Sequence, residues 1–299
     1  MKKIIIISAI ILLSVGIVLC GVGLATAGFD LKKLGVAEYH TTTYAADGEI
    51  DWIFIEESEA DIEILFSEDD KARVVCDELD KISHVVTVED GLMKISLEDE
   101  RDLTDRIMVF SKSLCVKVYL PKKDYDDLKI VSATGNVTIA EKISFKNASV
   151  SLSTGDVRFN NLSANKIDVS VTTGKISFEN VDCAGAVDIK CGTGRSSYTN
   201  VSAYSFALNG GTGNVKLKEI NIKDALVARL GTGDVDLDSI DAGWIKIVTT
   251  TGDVKGTIRS GKTFTAKTST GKVSVPASDN DGGVCEITTT TGDIKIQIE

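Results

Sequence analysis

Apolar and polar residues in the second half of the chain alternate in short runs, and the runs recur about every 20 residues. The frame is marked by nine Thr-Gly pairs: Thr134-Gly135, Thr154-Gly155, Thr173-Gly174, Thr193-Gly194, Thr212-Gly213, Thr232-Gly233, Thr251-Gly252, Thr270-Gly271 and Thr291-Gly292. Successive glycines lie 20, 19, 20, 19, 20, 19, 19 and 21 residues apart. With each glycine as position zero, positions −7, −5, −3 and −1 share one strand face, as in Ala148, Val150, Leu152 and Thr154. Past the glycine the apolar parity moves to +2 and +4 (Val157 and Phe159, Ile176 and Phe178, Val235 and Leu237). A third run starts at +7, with Leu162, Val181, Val201, Ile220 and Ile240.

A change of parity at a fixed point is a corner in the chain. Glycine reaches positive φ there at low cost. The Asn or Asp that often follows (Asn136, Asp156, Asn214, Asp234, Asp253, Asp293) is expected to share that left-handed region. Three short strands per coil predict an all-β fold, a parallel β-helix or solenoid of about nine coils of 19–21 residues. The usual crossover rule makes it right-handed. A sandwich of hairpins is disfavoured, because no Asn-Gly or Asp-Gly turn stands at the corners. The −1 threonines carry the buried parity and are therefore expected to form an internal hydroxyl ladder. On that reading there is no outward Thr-x-Thr grid to engage ice or another ordered surface.

The first part of the chain lacks the period. Residues 4–28 carry no charge and follow Lys2 and Lys3. A helix of that length crosses a hydrocarbon core of about 30 Å. The two lysines favour a cytoplasmic N-terminus, which puts the rest outside the cell. The competing reading is a secreted chain cleaved near Ala27, after the small-x-small step Ala25-Thr26-Ala27. Lipid attachment at Cys20 is disfavoured by Leu19, where a small residue is needed. Between this segment and the coils, short strands are expected at 50–55, 61–66, 72–76, 85–88, 92–97 and 114–120. Asp90-Gly91 marks a hairpin. Three regions follow: 1–29 as transmembrane anchor or signal, 30–127 as an acidic β-rich capping segment, and 128–299 as the solenoid.

Charge sharpens the division. Residues 30–130 hold 26 acidic and 13 basic side chains, whereas residues 131–299 hold 18 of each. Neither part has the basic surplus that drives nucleic-acid binding. The run Glu56-Glu57-Ser58-Glu59-Ala60-Asp61 is expected to be a solvated loop. Outside the anchor lie Cys76, Cys115, Cys183, Cys191 and Cys285, an odd number without metal-ligand spacing, which reads as buried free thiols.

Strand-rich sequence ending in Val118-Tyr119-Leu120-Pro121, then Leu128-x-Ile130 leading into Thr-Gly-Asx-Val coils, resembles a bacterial putative-adhesin domain of unknown function with β-strand repeats. Some members of that family are membrane proteins of cell-envelope-stress operons. The resemblance covers about residues 30–299 and implies a surface-exposed β-helix. It supplies no catalytic residues.

Candidate chemistry is sparse. The histidines are His40 and His84 alone, and no nucleophile–His or multi-His set can be assembled around the coils. No catalytic, cofactor or metal residue is assigned. Asp234 and Asp236 read as solubilising carboxylates paired with Lys216 and Lys255 on adjacent coils. The outward −4 and −2 positions are small and uncharged in the early coils, which makes Ser151, Ser153, Ser170, Thr172 and Asn209 a candidate partner face. The expected function is non-catalytic: surface binding, adhesion or envelope stress by a single-pass membrane protein with its solenoid extracytoplasmic. The alternative is an extracellular carbohydrate-active enzyme of β-helix type. Expected partners are the membrane through residues 4–28, an envelope protein or glycan, and a second copy through the open solenoid end at Ile294–Glu299.

Overall fold

The computed structural model describes residues 2–26, 39–79, 81–101, 114–279 and 282–299, and within the N-terminal helix the side chains of 6, 9, 11–23 and 25. That helix, α1 (Lys2–Thr26), exposes Leu12, Leu13, Ile17, Val18 and Leu19, and none of its described side chains joins the core. Among the described residues no helix is long and apolar enough to cross a membrane.

Seven strands precede the coils: β1 (His40–Ala45), β2 (Trp52–Glu57), β3 (Asp61–Phe66), β4 (Arg73–Glu78), β5 (Ile82–Glu89), β6 (Leu92–Asp99) and β7 (Cys115–Leu120). The coils start with β8 (Asp124–Thr134), β9 (Val137–Ile139), β10 (Ile143–Thr154), β11 (Val157–Asn160) and β12 (Leu162–Thr173). Four long bent strands follow: β13 (Ile176–Thr193), β14 (Ser196–Thr212), β15 (Val215–Thr232) and β16 (Val235–Thr251). The last five are β17 (Val254–Ile258), β18 (Thr263–Thr270), β19 (Val273–Ser274), β20 (Val284–Thr291) and β21 (Ile294–Ile298).

The fold is an all-β solenoid of about eight turns, against the nine coils expected. Nine corners bound eight steps. Consecutive coils pair in parallel and in register, so Thr154 meets Thr173, Thr173 meets Thr193 and Thr212 meets Thr232. The apolar columns line the interior: Ala148, Val150, Leu152, Val157, Phe159, Leu162 and Ala164 are all buried in a single coil. At +4 the rings of Phe159 and Phe178 stack with centroids 4.8 Å apart, and Tyr198 meets Phe178 edge-on at 5.3 Å. The alternation of longer and shorter coils is absorbed as bulges between +9 and −7, as between Cys183 and Ala186 and between Ala203 and Phe206.

The corners depart from expectation in two ways. All nine −1 threonines are exposed, so the internal threonine ladder is not formed. The bend uses one residue of alternation, leaving −2 and −1 both outward and −3 as the last inward residue. The buried threonine hydroxyls are instead those of Thr249 and Thr289 at −3, which donate to the corner carbonyls of Gly233 (3.2 Å) and Gly252 (3.0 Å). Second, no Asn or Asp at +1 has positive φ. Positive φ recurs at +6, a second corner, at Asn161, Asn180, Asn200, Glu219 and Ser239.

The +1 side chains do a different job. Asn136 Oδ1 accepts from the amide of Asp156 (2.9 Å), and Asp156 Oδ1 accepts from that of Lys175 (2.9 Å). Asn214, Asp234 and Asp253 repeat this toward Asp234, Asp253 and Asp293. Each satisfies a corner N–H that the strand ladder leaves open.

Both ends are threaded out of sequence order. Strand β2 lies between β6 and β8, and β3 between β7 and β9, all parallel. The segment read as a cap thus contributes coils of its own. Capping falls to the antiparallel strands β5, paired with β6, and β4, paired with β7 and β1. Asp90 and Gly91, both at positive φ, turn the β5–β6 hairpin. At the other end β20 sits between β16 and β18, and β21 between β17 and β19. The final coil is therefore covered, and the open end is β18–β19 rather than Ile294–Glu299. The buried Lys262 holds this crossing, donating to Asp241 Oδ1 (2.9 Å), Ser260 Oγ (2.7 Å) and the carbonyl of Gly282 (2.5 Å).

The glycine corners set the stacking distance. A Cβ on Gly213, whose φ is +144°, would overlap the carbonyl oxygen of Gly194. A Cβ on Gly210 would meet nothing nearer than Leu230 Cγ, at 3.5 Å, an ordinary van der Waals contact. Gly213→Ala is therefore expected to cost about 3 kcal/mol or more, and Gly210→Ala to stay within about 1 kcal/mol of wild type. Urea unfolding of both variants checks the contrast.

Candidate functional site

Two places carry polar side chains in an arrangement that could act on something. The first is the outward sheet face. Ser151, Ser153, Thr172 and Asn209 are exposed and Ser170 is half-buried. Register places Val131, Ser151, Ser170, Lys190, Asn209, Arg229 and Val248 in one −4 column. The column is small and neutral only over its first coils, and Lys190 and Arg229 then introduce positive charge. Beside it run the exposed −1 threonines. Over the middle coils they form a single row, because the −2 neighbours there are Gly192, Gly211 and Gly231, whereas Ser153, Thr172, Thr250, Ser269 and Thr290 set a second hydroxyl beside the row on other coils. The glycines interrupt any continuous two-dimensional grid of hydroxyls. At +3, Lys255 pairs with Asp236 at 3.4 Å, while Asp234 is committed to the corner amide of Asp253.

The second place lies under the cap and was not anticipated. Strand β2 alternates inward as Ile53, Ile55 and Glu57, and strand β4 as Val74, Cys76 and Glu78. The parity that buries the isoleucines buries Glu57 too, so this part of the acidic run is no solvated loop. His84 of β5 enters between the two carboxylates. Its Nε2 lies 3.0 Å from Glu57 Oε2 and its Nδ1 3.1 Å from Glu78 Oε1. Glu78 Oε1 also accepts from the His84 amide (2.7 Å) and the Tyr44 hydroxyl (2.7 Å), and Oε2 from Thr42 (2.5 Å). His40 Nε2 stands 3.6 Å from the same Oε2.

Burial is the largest influence on each of these ionisable groups and opposes charge. Hydrogen bonding and attraction within the cluster outweigh it. Glu57 and Glu78 are held below the usual carboxylate range, and His84 above the usual imidazole range. Cys76 lacks such compensation: burial first, then the charges of Glu78 and Glu57, push its thiol up. All six cysteines are free, and Cys76, Cys183, Cys191 and Cys285 are buried.

A solenoid with this repeat matches the family model described as Toastrack DUF4097 over residues 50–238 and again over 187–299. The chain belongs to the Toastrack DUF4097 family. Among curated proteins none matches it. Solved structures similar to this Toastrack chain include a putative adhesin from Parabacteroides distasonis (14% identity, 88% of this chain and 98% of that one, TM-score 0.44). Another is a putative adhesin from Bacteroides fragilis (16% identity, 87% and 97%, TM-score 0.43). A third, from Parabacteroides distasonis, is described as a putative lipid binding protein (13% identity, 88% and 98%, TM-score 0.46). The Toastrack family match agrees with the repeat-bearing resemblance read from the sequence, and it assigns no residue a role.

The buried cluster joins the cap to the first-threaded coil of the Toastrack solenoid, since Glu57 ends β2 while Glu78 and His84 belong to cap strands. Glu57→Ala strips a charged partner from a buried His84 and is expected to cost about 3–5 kcal/mol. Glu78→Gln keeps an acceptor and is expected to cost about 1–3 kcal/mol. Urea unfolding midpoints of the two variants decide the ordering.

Proposed function

We propose that the chain is a membrane-anchored, extracytoplasmic solenoid that acts by binding at the cell surface, without catalysis. The observation that carries this reading is the long regular face of stacked coils. Successive corners are 19–21 residues apart throughout, so no inserted loop builds walls around a substrate. A shallow depression of about 490 Å³ on this body is bordered by Asp182, Ser202, Tyr204, Asn221 and Lys223. Its one carboxylate already accepts a hydrogen bond from Ser202 (2.6 Å). That depression does not supply the paired acid and base of a glycoside hydrolase; a second one, of about 310 Å³, is bordered by Asp47, Glu49 and Asp70 beside Lys71 and Lys123.

The anchor rests on α1, whose described apolar side chains have no partner in the β-core. Lys2 and Lys3 at its start, with a charge-free stretch after them, fit an N-terminus kept in the cytoplasm. The contact surface in this reading is the face of Ser151, Ser153, Ser170, Thr172 and Asn209, where small side chains admit a flat partner such as a glycan or an envelope protein.

Two measurements on cells making the full-length chain test this. The chain should sediment with membranes, and protease added to intact cells should digest its solenoid. The triple variant Ser151→Glu, Ser170→Glu, Asn209→Glu should fold normally yet lose at least about tenfold in retention on purified cell-wall glycan, about 1.4 kcal/mol of binding. A protease-resistant, soluble chain would remove the anchor, and unchanged retention would remove the face.

A further inference from the structure

We propose that Cys76, Glu78 and His84, with His40 as the fourth ligand, form a structural zinc site in the cap. A ligand atom from each of Cys76, Glu78 and His84 lies within 4.8 Å of the others, and all three residues are buried. Tetrahedral zinc, with bonds of about 2.0–2.3 Å to N, O and S donors, needs edges of roughly 3.3–3.7 Å between ligand atoms. The three buried ligand atoms, within 4.8 Å of one another, would have to draw in by about 1 Å to reach that spacing. A mixed thiolate, imidazole and carboxylate set suits zinc better than calcium or magnesium, which take oxygen ligands.

Strand register assembles the site. Strands β1 and β4 are antiparallel, with His40 opposite Glu78 and Thr42 opposite Cys76. Directly opposed residues project to the same face, so His40, Cys76 and Glu78 share it. His84 approaches from β5. The two histidines of the whole chain, 44 positions apart, thus converge on one carboxylate.

The surrounding groups are arranged as a supporting shell. Glu57 Oε2, 3.0 Å from His84 Nε2, accepts the proton on that nitrogen and frees Nδ1 to face the metal. Carboxylate–imidazole–metal chains of this kind fix both tautomer and ring orientation. Thr42 and Tyr44 hold the two oxygens of Glu78. A plain ion triad would explain Glu57, His84 and Glu78, but it does not call for a thiol within 4.8 Å of the Glu78 and His84 ligand atoms or a second histidine at the Glu78 carboxylate. Two carboxylates also stand within 3.1 Å of one imidazole in a buried place, a set of anionic and neutral donors that favours a dication. The metal would tie three cap strands together above the coil that Glu57 terminates.

The test uses the purified full-length chain in detergent, stripped with chelator and then dialysed against Zn²⁺ or Co²⁺. One zinc should remain per chain. The cobalt form should show a thiolate-to-cobalt charge-transfer band that disappears in Cys76→Ser and persists in Cys115→Ser. Glu57→Gln, acting through His84, should weaken zinc affinity about 10- to 100-fold. A wild-type chain that retains no stoichiometric zinc, or a cobalt form without the thiolate band, would overturn the proposal, and both are read without any variant. A band unchanged by Cys76→Ser would overturn it equally.

Discussion

The close approach of one glycine corner to the next is the constraint on which the rest of the solenoid depends. Every corner N–H but that of Gly271, in the terminal layer, donates to the carbonyl of the −1 threonine on the adjacent coil, as from Gly194 to Thr212 and from Gly213 to Thr232, both at 2.8 Å. Positive φ at the glycine aims that N–H along the stack, and the missing Cβ lets the neighbouring carbonyl approach. Once the corners are fixed, the strands on either side fall into register, and the columns at −7, −5, −3, +2, +4, +7 and +9 close over a continuous core. The Asn and Asp ladder at +1 then removes the unpaired amides that such a tight turn would otherwise bury.

A stack of this kind is vulnerable at its ends, where strands present open edges. Antiparallel strands close the first end, and the most acidic part of the sequence lies in that region. The second end is handled by threading: the last coil slides inward, and β18–β19 becomes the terminal layer. That layer keeps Phe264 and Ala266 only half-buried and leaves Val273 exposed. Identical corners make the exchange inexpensive, because Gly292 meets Gly252 as readily as Gly271 would. Lys262, bonded at once to Asp241 and to the carbonyl of Gly282, ties the exchanged segment to the coil before it.

The periodic part of this architecture was legible in sequence because one residue type, glycine, is required at one recurring place. The inward columns followed from parity alone. Parity failed at the corner itself, where Thr154 and its equivalents turned outward: alternation holds within a strand and not through a bend. The role of Asp156 was misread for a related reason, since an Asx side chain serves either its own turn or a neighbour's amide, and only stacking chooses between them. The exchanged coil order could not be read at all, because Thr251, Thr270 and Thr291 are interchangeable in pattern. Glu57 and Glu78 were legible in principle. Each continues an apolar alternation, Ile53-Ile55 and Val74-Cys76, and a carboxylate on a buried parity implies a buried partner. His84 is that partner.

The regular coils give extended faces, the buried chemistry lies under the cap, and the family match supplies a fold without assigning a role to any residue. Amide hydrogen exchange on the full-length chain tests the central claim about the corners most directly. The account predicts that the amides of Gly174, Gly194, Gly213 and Gly233 exchange only through global unfolding, as slowly as the core strands beside them. Exchange of these glycines at the rate of an open loop, with the strands still protected, would contradict it.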